Sequence, residues 1–158
     1  MRNREISRQL QRLDSIITRT NDACRDNIEI QAYWAQYICI LSAGLLENAL
    51  KEIYSEFAYR TVSEPIANFV SSTLGQIRNP KTQRFIETAT AFKSDWKEDL
   101  ENFLDTDGRR EAIDTIMLNR HLIAHGKNQN CNISLAQIKE YLSEAVEVID
   151  FIEDQCQK

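Results

Sequence analysis

Both histidines of this 158-residue chain lie in one stretch of eight, Asn119-Arg-His-Leu-Ile-Ala-His-Gly126, next to Arg120. His121 and His125 are four apart, hence neighbours on one helix face. An imidazole that can hold or release a proton near neutral pH, set close to a fixed guanidinium, suits phosphate-ester chemistry. At about 100° per residue, Ile113, Ile116, Met117, Ile123 and Ala124 share one arc of this helix, with Arg120 in the middle of it. A charged side chain is almost never buried without a partner. Arg120 must therefore meet a carboxylate, reach out along its stem, or line a cleft meant for an anion. Glu47, at the edge of a long apolar tract, is the candidate carboxylate, unless its helix surface has already turned to solvent there. Asn119 precedes the arginine and is read as supporting it. A His pair at this spacing can also bind a metal. Only Cys131 and acids of unknown position could complete such a site, and no H-E-x-x-H or Cys-rich spacing points to one. No Gly-rich phosphate loop, G-x-S-x-G elbow or dinucleotide fingerprint is present, so no metal or cofactor is expected.

The elements that must position these residues read as helices throughout. From Asn3 to Cys24, the residues Ile6, Leu10, Leu13, Ile17 and Cys24 follow helical spacing, with Arg and Gln on the other side. The pattern lapses at Asp26 and Asn27, and a second helix runs to about Tyr59. Its first half is apolar nearly all round, with Tyr33, Trp34, Tyr37, Ile38, Ile40, Leu41, Leu45 and Leu46. Such a helix is central to a bundle or shared with a partner subunit. Ser63-Glu64-Pro65 starts a short helix to about Leu74, Asn79-Pro80 another through Phe92, and Ser94-Asp95 a third through Leu104. Residues 62–106 thus form a helical insertion, too short to build a core of its own, between the second and third long helices. That third helix, Arg109 to His125, begins after Asp107-Gly108, and Gly126 ends it in the left-handed conformation. Ser134 and Gln137 match a capping box, and a stripe from Leu135 to Cys156 marks the last helix.

Composition agrees with a single all-α domain, 1–158: four glycines and two prolines are few, and helix formers abound. Four dispersed cysteines without a C-x-x-C pair, and no apolar leader, point to reducing cytoplasm. The longest apolar run is too short to span a bilayer. A net charge of −5 argues against coating nucleic acid through a general positive field. A local basic cleft stays open, with Arg109, Arg110, Arg120 and Lys127 near the central stretch.

Arg120-His121-Leu122-Ile123-Ala124-His125 resembles the R-x4-6-H motif of the HEPN superfamily, most like its RiboL-PSP branch or the MAE-type branch. The surroundings fit over nearly the whole chain: two long helices, an insertion, the motif at the end of the third long helix, and a final amphipathic helix. The resemblance implies an up-down bundle of four long helices and a metal-independent endoribonuclease. Such enzymes act in toxin-antitoxin, abortive-infection or antiviral defence systems, with an antitoxin or other defence partner. It further implies a homodimer whose two motifs face each other across one RNA cleft. Arg120 would then hold the scissile phosphate and His125 act as general acid or base. His121 would orient the site, and the products would be a 2′,3′-cyclic phosphate and a 5′-hydroxyl. Some HEPN domains serve instead as noncatalytic binding or dimerisation modules.

Overall fold

A polar residue with a free side-chain oxygen precedes each of the first two helical runs, and each becomes a cap. In the computed structural model, which describes residues 1–24 and 26–157, the Asn3 side chain accepts from the backbone N–H groups of Glu5 and Ile6 at the head of α1 (Arg4–Ala23). Asn27 does the same for Ile30 at the head of α2 (Ile28–Thr61). These bonds satisfy donors that a helix start otherwise leaves unpaired. Five more α-helices follow: α3 (Glu64–Leu74), α4 (Thr82–Phe92), α5 (Trp96–Leu104), α6 (Arg109–Ala124) and α7 (Leu135–Gln155). No strand occurs among the described residues. The fold is an all-α bundle of four long helices with three short ones between the second and third.

Side-chain bonds fix the packing directions. Asn3 reaches Glu56 and Asn48 reaches Gln9, so α1 and α2 run antiparallel. Arg109 at the start of α6 reaches Glu147 late in α7, so that pair is antiparallel too. Helices α1 and α6 each pack on both α2 and α7, on opposite sides of that central pair. Ile6, Ile38, Leu46, Ile113, Ile116, Ile138 and Ile149 meet in one core. Phe85 of α4 with Trp96, Leu100 and Leu104 of α5 belong to the same core, so these two inserted helices are built into the bundle rather than standing off it.

The apolar girth of α2 divides between core and surface. Ile38, Leu45 and Leu46 are buried, Trp34 and Leu41 half-buried. Ile30, Tyr33, Tyr37 and Ile40 remain exposed on the outer face. The tract is therefore not consumed within one chain. On α7 the capping box forms as expected, Ser134 and Gln137 each accepting from the other's backbone. The Asn79-Pro80 expectation needs correction. Helix α4 begins only at Thr82, and its first N–H is satisfied from a distance by Asp114 of α6, which accepts from Thr82 N–H at 2.8 Å and Thr82 Oγ1 at 3.0 Å. Asn79 itself sits at φ +51°, a left-handed position, and turns the chain instead of capping the helix. No helix among the described residues is long and apolar enough to cross a membrane.

Candidate functional site

The C-terminal end of α6 is built by a local hydrogen-bond pattern. Gly126 takes φ +69°. Its N–H donates to Ile123 O at 3.1 Å, and Lys127 N–H donates to Leu122 O at 2.9 Å. This is a Schellman stop, which glycine permits because it lacks the Cβ that the left-handed region penalises. His125 is the residue at which the helix halts, and its N–H donates to His121 O at 3.2 Å. The two imidazoles lie on the exposed side with ring centroids 4.3 Å apart and planes at 60°.

Arg120 faces the other way. Its side chain is 31 % exposed, and Nη2 lies 3.8 Å from Glu47 Oε1, an ion pair too long for a hydrogen bond. Glu47, 17 % exposed, is held elsewhere: Oε1 accepts the backbone N–H of Asn79 at 2.5 Å. Among the described residues the Arg120 guanidinium donates no hydrogen bond at all. Its planar fork of five donors is half-sheltered and not taken up by a protein acceptor among the described residues, an arrangement that suits the oxygens of an anion. Five residues further on, His125 is turned about 140° around the helix axis. No hydrogen bond joins Arg120 to either imidazole among the described residues.

The sequence-derived candidates thus sort into groups. Arg120 and Glu47 are neighbours, as are His121 and His125, and all four lie near one end of α6. Asn119 does not join them. It is buried, and its Nδ2 donates to Thr115 O at 2.9 Å within its own helix. Nor do Arg109 and Arg110 supply a basic cleft. They lie about 16 Å of helix rise away, and they are bound to Glu147 and Asp105 respectively. Ala124, assigned to the core-facing arc, is exposed because the helix has left the core by then.

Sequence reasoning missed two residues. Asn79 holds Glu47 through its backbone, and its own Oδ1 is buried without a hydrogen-bond partner among the described residues. The Asn79-Pro80 pair was visible, but its meaning depends on a contact 32 positions away. Cys39 lies under the arginine's helix, its thiol donating to Ile116 O at 3.4 Å. Burial pushes that thiol up to about 12, Cys131 adds to the rise, and the Arg120 backbone N–H opposes it. It is a neutral packing group rather than a nucleophile. A groove of about 820 Å³ exists, but between the end of α2, α3 and α4, and none of the candidate residues lines it. Among the described residues no three His, Cys, Asp or Glu side chains are gathered as a metal would require.

The profile of one family, RiboL-PSP-HEPN, matches residues 2–158. The chain belongs to the RiboL-PSP-HEPN family. No curated protein and no solved structure matches it. Membership in a HEPN family supports a ribonuclease or nucleotide-related module, and the stretch from Arg120 to His125 lies within the matched residues.

Proposed function

We propose that this HEPN domain is a metal-independent endoribonuclease. The observation that carries the reading is a half-buried guanidinium with no hydrogen-bonded partner among the described residues, on the same helix end as two exposed imidazoles. Arg120 binds the scissile phosphate and stabilises the charge that builds on its oxygens. The ribose 2′-hydroxyl attacks phosphorus, the 5′-oxygen leaves, and His125 moves the proton as general acid or base. A 2′,3′-cyclic phosphate and a 5′-hydroxyl result. His121, ring against ring with His125, orients it, and Glu47 lies beside the guanidinium without hydrogen-bonding to it. Asn119 contributes only by bracing α6 from within.

The working unit in this reading is a homodimer. One chain turns its arginine and histidines to different sides of α6, and both imidazoles are exposed. A second copy facing the first across a two-fold axis joins the two helix ends into one cleft. Exposed Tyr33, Tyr37 and Ile40 on α2 and Leu118 on α6 support such pairing. The proposed setting is a cytoplasmic effector of a toxin-antitoxin, abortive-infection or antiviral system, held in check or triggered by a partner. Four free cysteines, three of them buried, accord with a reducing compartment.

A second reading, a noncatalytic binding or dimerisation module, is favoured by the nearness of Glu47 to Arg120, since a carboxylate competes with phosphate for the same fork. RNA cleavage in EDTA by wild type and His125→Ala separates the two. Activity that survives EDTA and disappears in the variant is expected. Activity abolished by EDTA would point to a metal enzyme, and intact RNA under every condition would leave the binding module.

A further inference from the structure

The basic charge of this acidic chain is gathered where the proposed reaction makes no use of it. Residues 1–25 hold six arginines and no lysine against three acids, while the whole chain carries −5. Four of these arginines, Arg4, Arg8, Arg12 and Arg19, fall within an arc of roughly 80° on α1, and all four are exposed. Successive members of the first three are about 6 Å apart along the axis, on the order of the separation of neighbouring phosphates along a nucleic-acid strand. Arg8 has only a 4.0 Å pair with Glu5, and the other three form no ion pair among the described residues. A shallow groove of about 690 Å³ follows this face, lined by Arg8, Arg12 and Arg19 with the hydrogen-bonding groups of Gln11 and Ser15 between them, and bordered by Glu5, Gln9 and Ile16.

We infer that the arginine row of α1 is a docking track for the phosphate backbone of RNA, the choice of RNA resting on the ribonuclease reading. Guanidinium forks match phosphate oxygens in pairs, and a row of them binds through the backbone without reading sequence. Two other anionic partners fit this face poorly. A protein interface needs an apolar centre, and none of the exposed large apolar side chains lies on α1. A membrane surface needs an amphipathic helix with its apolar side free, whereas Ile6, Leu13 and Ile17 of α1 are buried in the bundle. The row also shows how a chain of net negative charge can hold RNA: the positive field is local and confined to one helix. Asp22 lies at the C-terminal end of the same arc and marks where the track stops.

The test is fluorescence anisotropy with a labelled single-stranded RNA and the full chain, over a range of salt concentrations. The proteins compared are wild type, the combined Arg4→Gln, Arg8→Gln, Arg12→Gln and Arg19→Gln variant, and a control carrying Arg84→Gln and Lys97→Gln on α4 and α5. Glutamine keeps helix propensity, and circular dichroism checks that each variant is folded. Without the four guanidinium charges that pair with phosphates, the slope of log affinity against log salt should become shallower by roughly 3, and affinity should fall by about tenfold or more. The control should stay within about twofold of wild type, because two charges remote from the track release no counterions from the RNA. Unchanged affinity and slope in the combined variant overturn the track, as does an equal loss in the control. Absence of RNA binding by wild type overturns it too. So does a combined variant that still binds RNA and loses only its binding to vesicles of phosphatidylcholine and phosphatidylserine. Cleavage is scored separately. A wild type that binds RNA through the row but never cuts it keeps the track and removes the nuclease. A wild type that cuts while the combined variant binds unchanged keeps the nuclease and removes the track.

Discussion

Helix α6 carries an arginine near each end, and the two have opposite surroundings. Arg109 is only 11 % exposed. Its Nε and Nη2 both donate to Glu147 Oε2, at 2.9 and 2.7 Å, and Nη1 donates to Thr106 Oγ1 at 2.6 Å and Phe103 O at 3.3 Å. Asp107 adds an ion pair at 3.0 Å, and the guanidinium carbon lies 4.1 Å over the ring of Phe103. Burial works against its charge, yet Glu147, Asp107 and Glu144 together hold its proton more tightly than usual. Arg120 has one carboxylate at 3.8 Å and no hydrogen bond among the described residues. A structural arginine in this fold thus looks like Arg109, with each donor group satisfied. Arg120 departs from that pattern: among the described residues no protein acceptor takes up its donors.

The widest gap between the two ends should appear in activity. Arg120→Ala is expected to lower RNA cleavage about 10²- to 10³-fold, the usual loss when a donor to developing negative charge is removed. Its stability should change by no more than about 1 kcal/mol, since a long, partly exposed pair is worth little. Arg109→Ala should do the reverse. Loss of its bonds to Glu147 and Thr106 is expected to cost about 2–3 kcal/mol, a fall in Tm of roughly 5–10 °C for a chain of this size. Cleavage well below Tm should be untouched. A thermally fragile Arg120→Ala protein would remove the contrast on which the site rests.

The glycines that bracket α6 sharpen the same comparison at smaller scale. Gly108 at φ +77° precedes Arg109, and Gly126 at φ +69° follows His125. A Cβ at either would meet nothing within 4 Å. Each Gly→Ala change therefore carries only the cost of left-handed backbone, roughly 1–2 kcal/mol, and thermal melts of the two variants should match. Their activities should not. Gly126→Ala disturbs the stop that places His125 and should slow cleavage, while Gly108→Ala should leave it near wild type.

What the sequence disclosed about these ends follows the range of the interactions. Gly126, Ser134 and Gln137 act within a turn of their own position, so their roles were readable from spacing alone. Arg120 was conspicuous for a similar reason, standing between Met117 and Ile123 on a core-facing arc. Asn119 misled because adjacency in sequence is about a 100° turn in space, and that turn carries it inward to Thr115 O. Glu147, which holds two of the Arg109 donors, lies on α7, the carboxylate that caps α4 comes from Asp114, and the backbone that holds Glu47 comes from Asn79. Each is a pairing more than thirty residues apart in the chain, and no periodicity encodes which carboxylate reaches which donor.

The smallest predicted effect is the most direct reading of the difference. In a stability double-mutant cycle, Arg109→Ala with Glu147→Ala should give a coupling of about 1–2 kcal/mol, because two short charge-assisted bonds are lost together. Arg120→Ala with Glu47→Gln should give less than about 0.5 kcal/mol, since the long separation and partial exposure leave little direct interaction. Glutamine is the right partner substitution, because its side-chain oxygen can still accept the Asn79 N–H, whereas alanine would leave that donor unpaired and confuse the two effects. Guanidinium chloride titrations of the four proteins in each cycle measure both couplings. A value for Arg120 and Glu47 as large as that for Arg109 and Glu147 would make the pair structural. The guanidinium would then be committed to its own chain, and the phosphate would have to be held by something else.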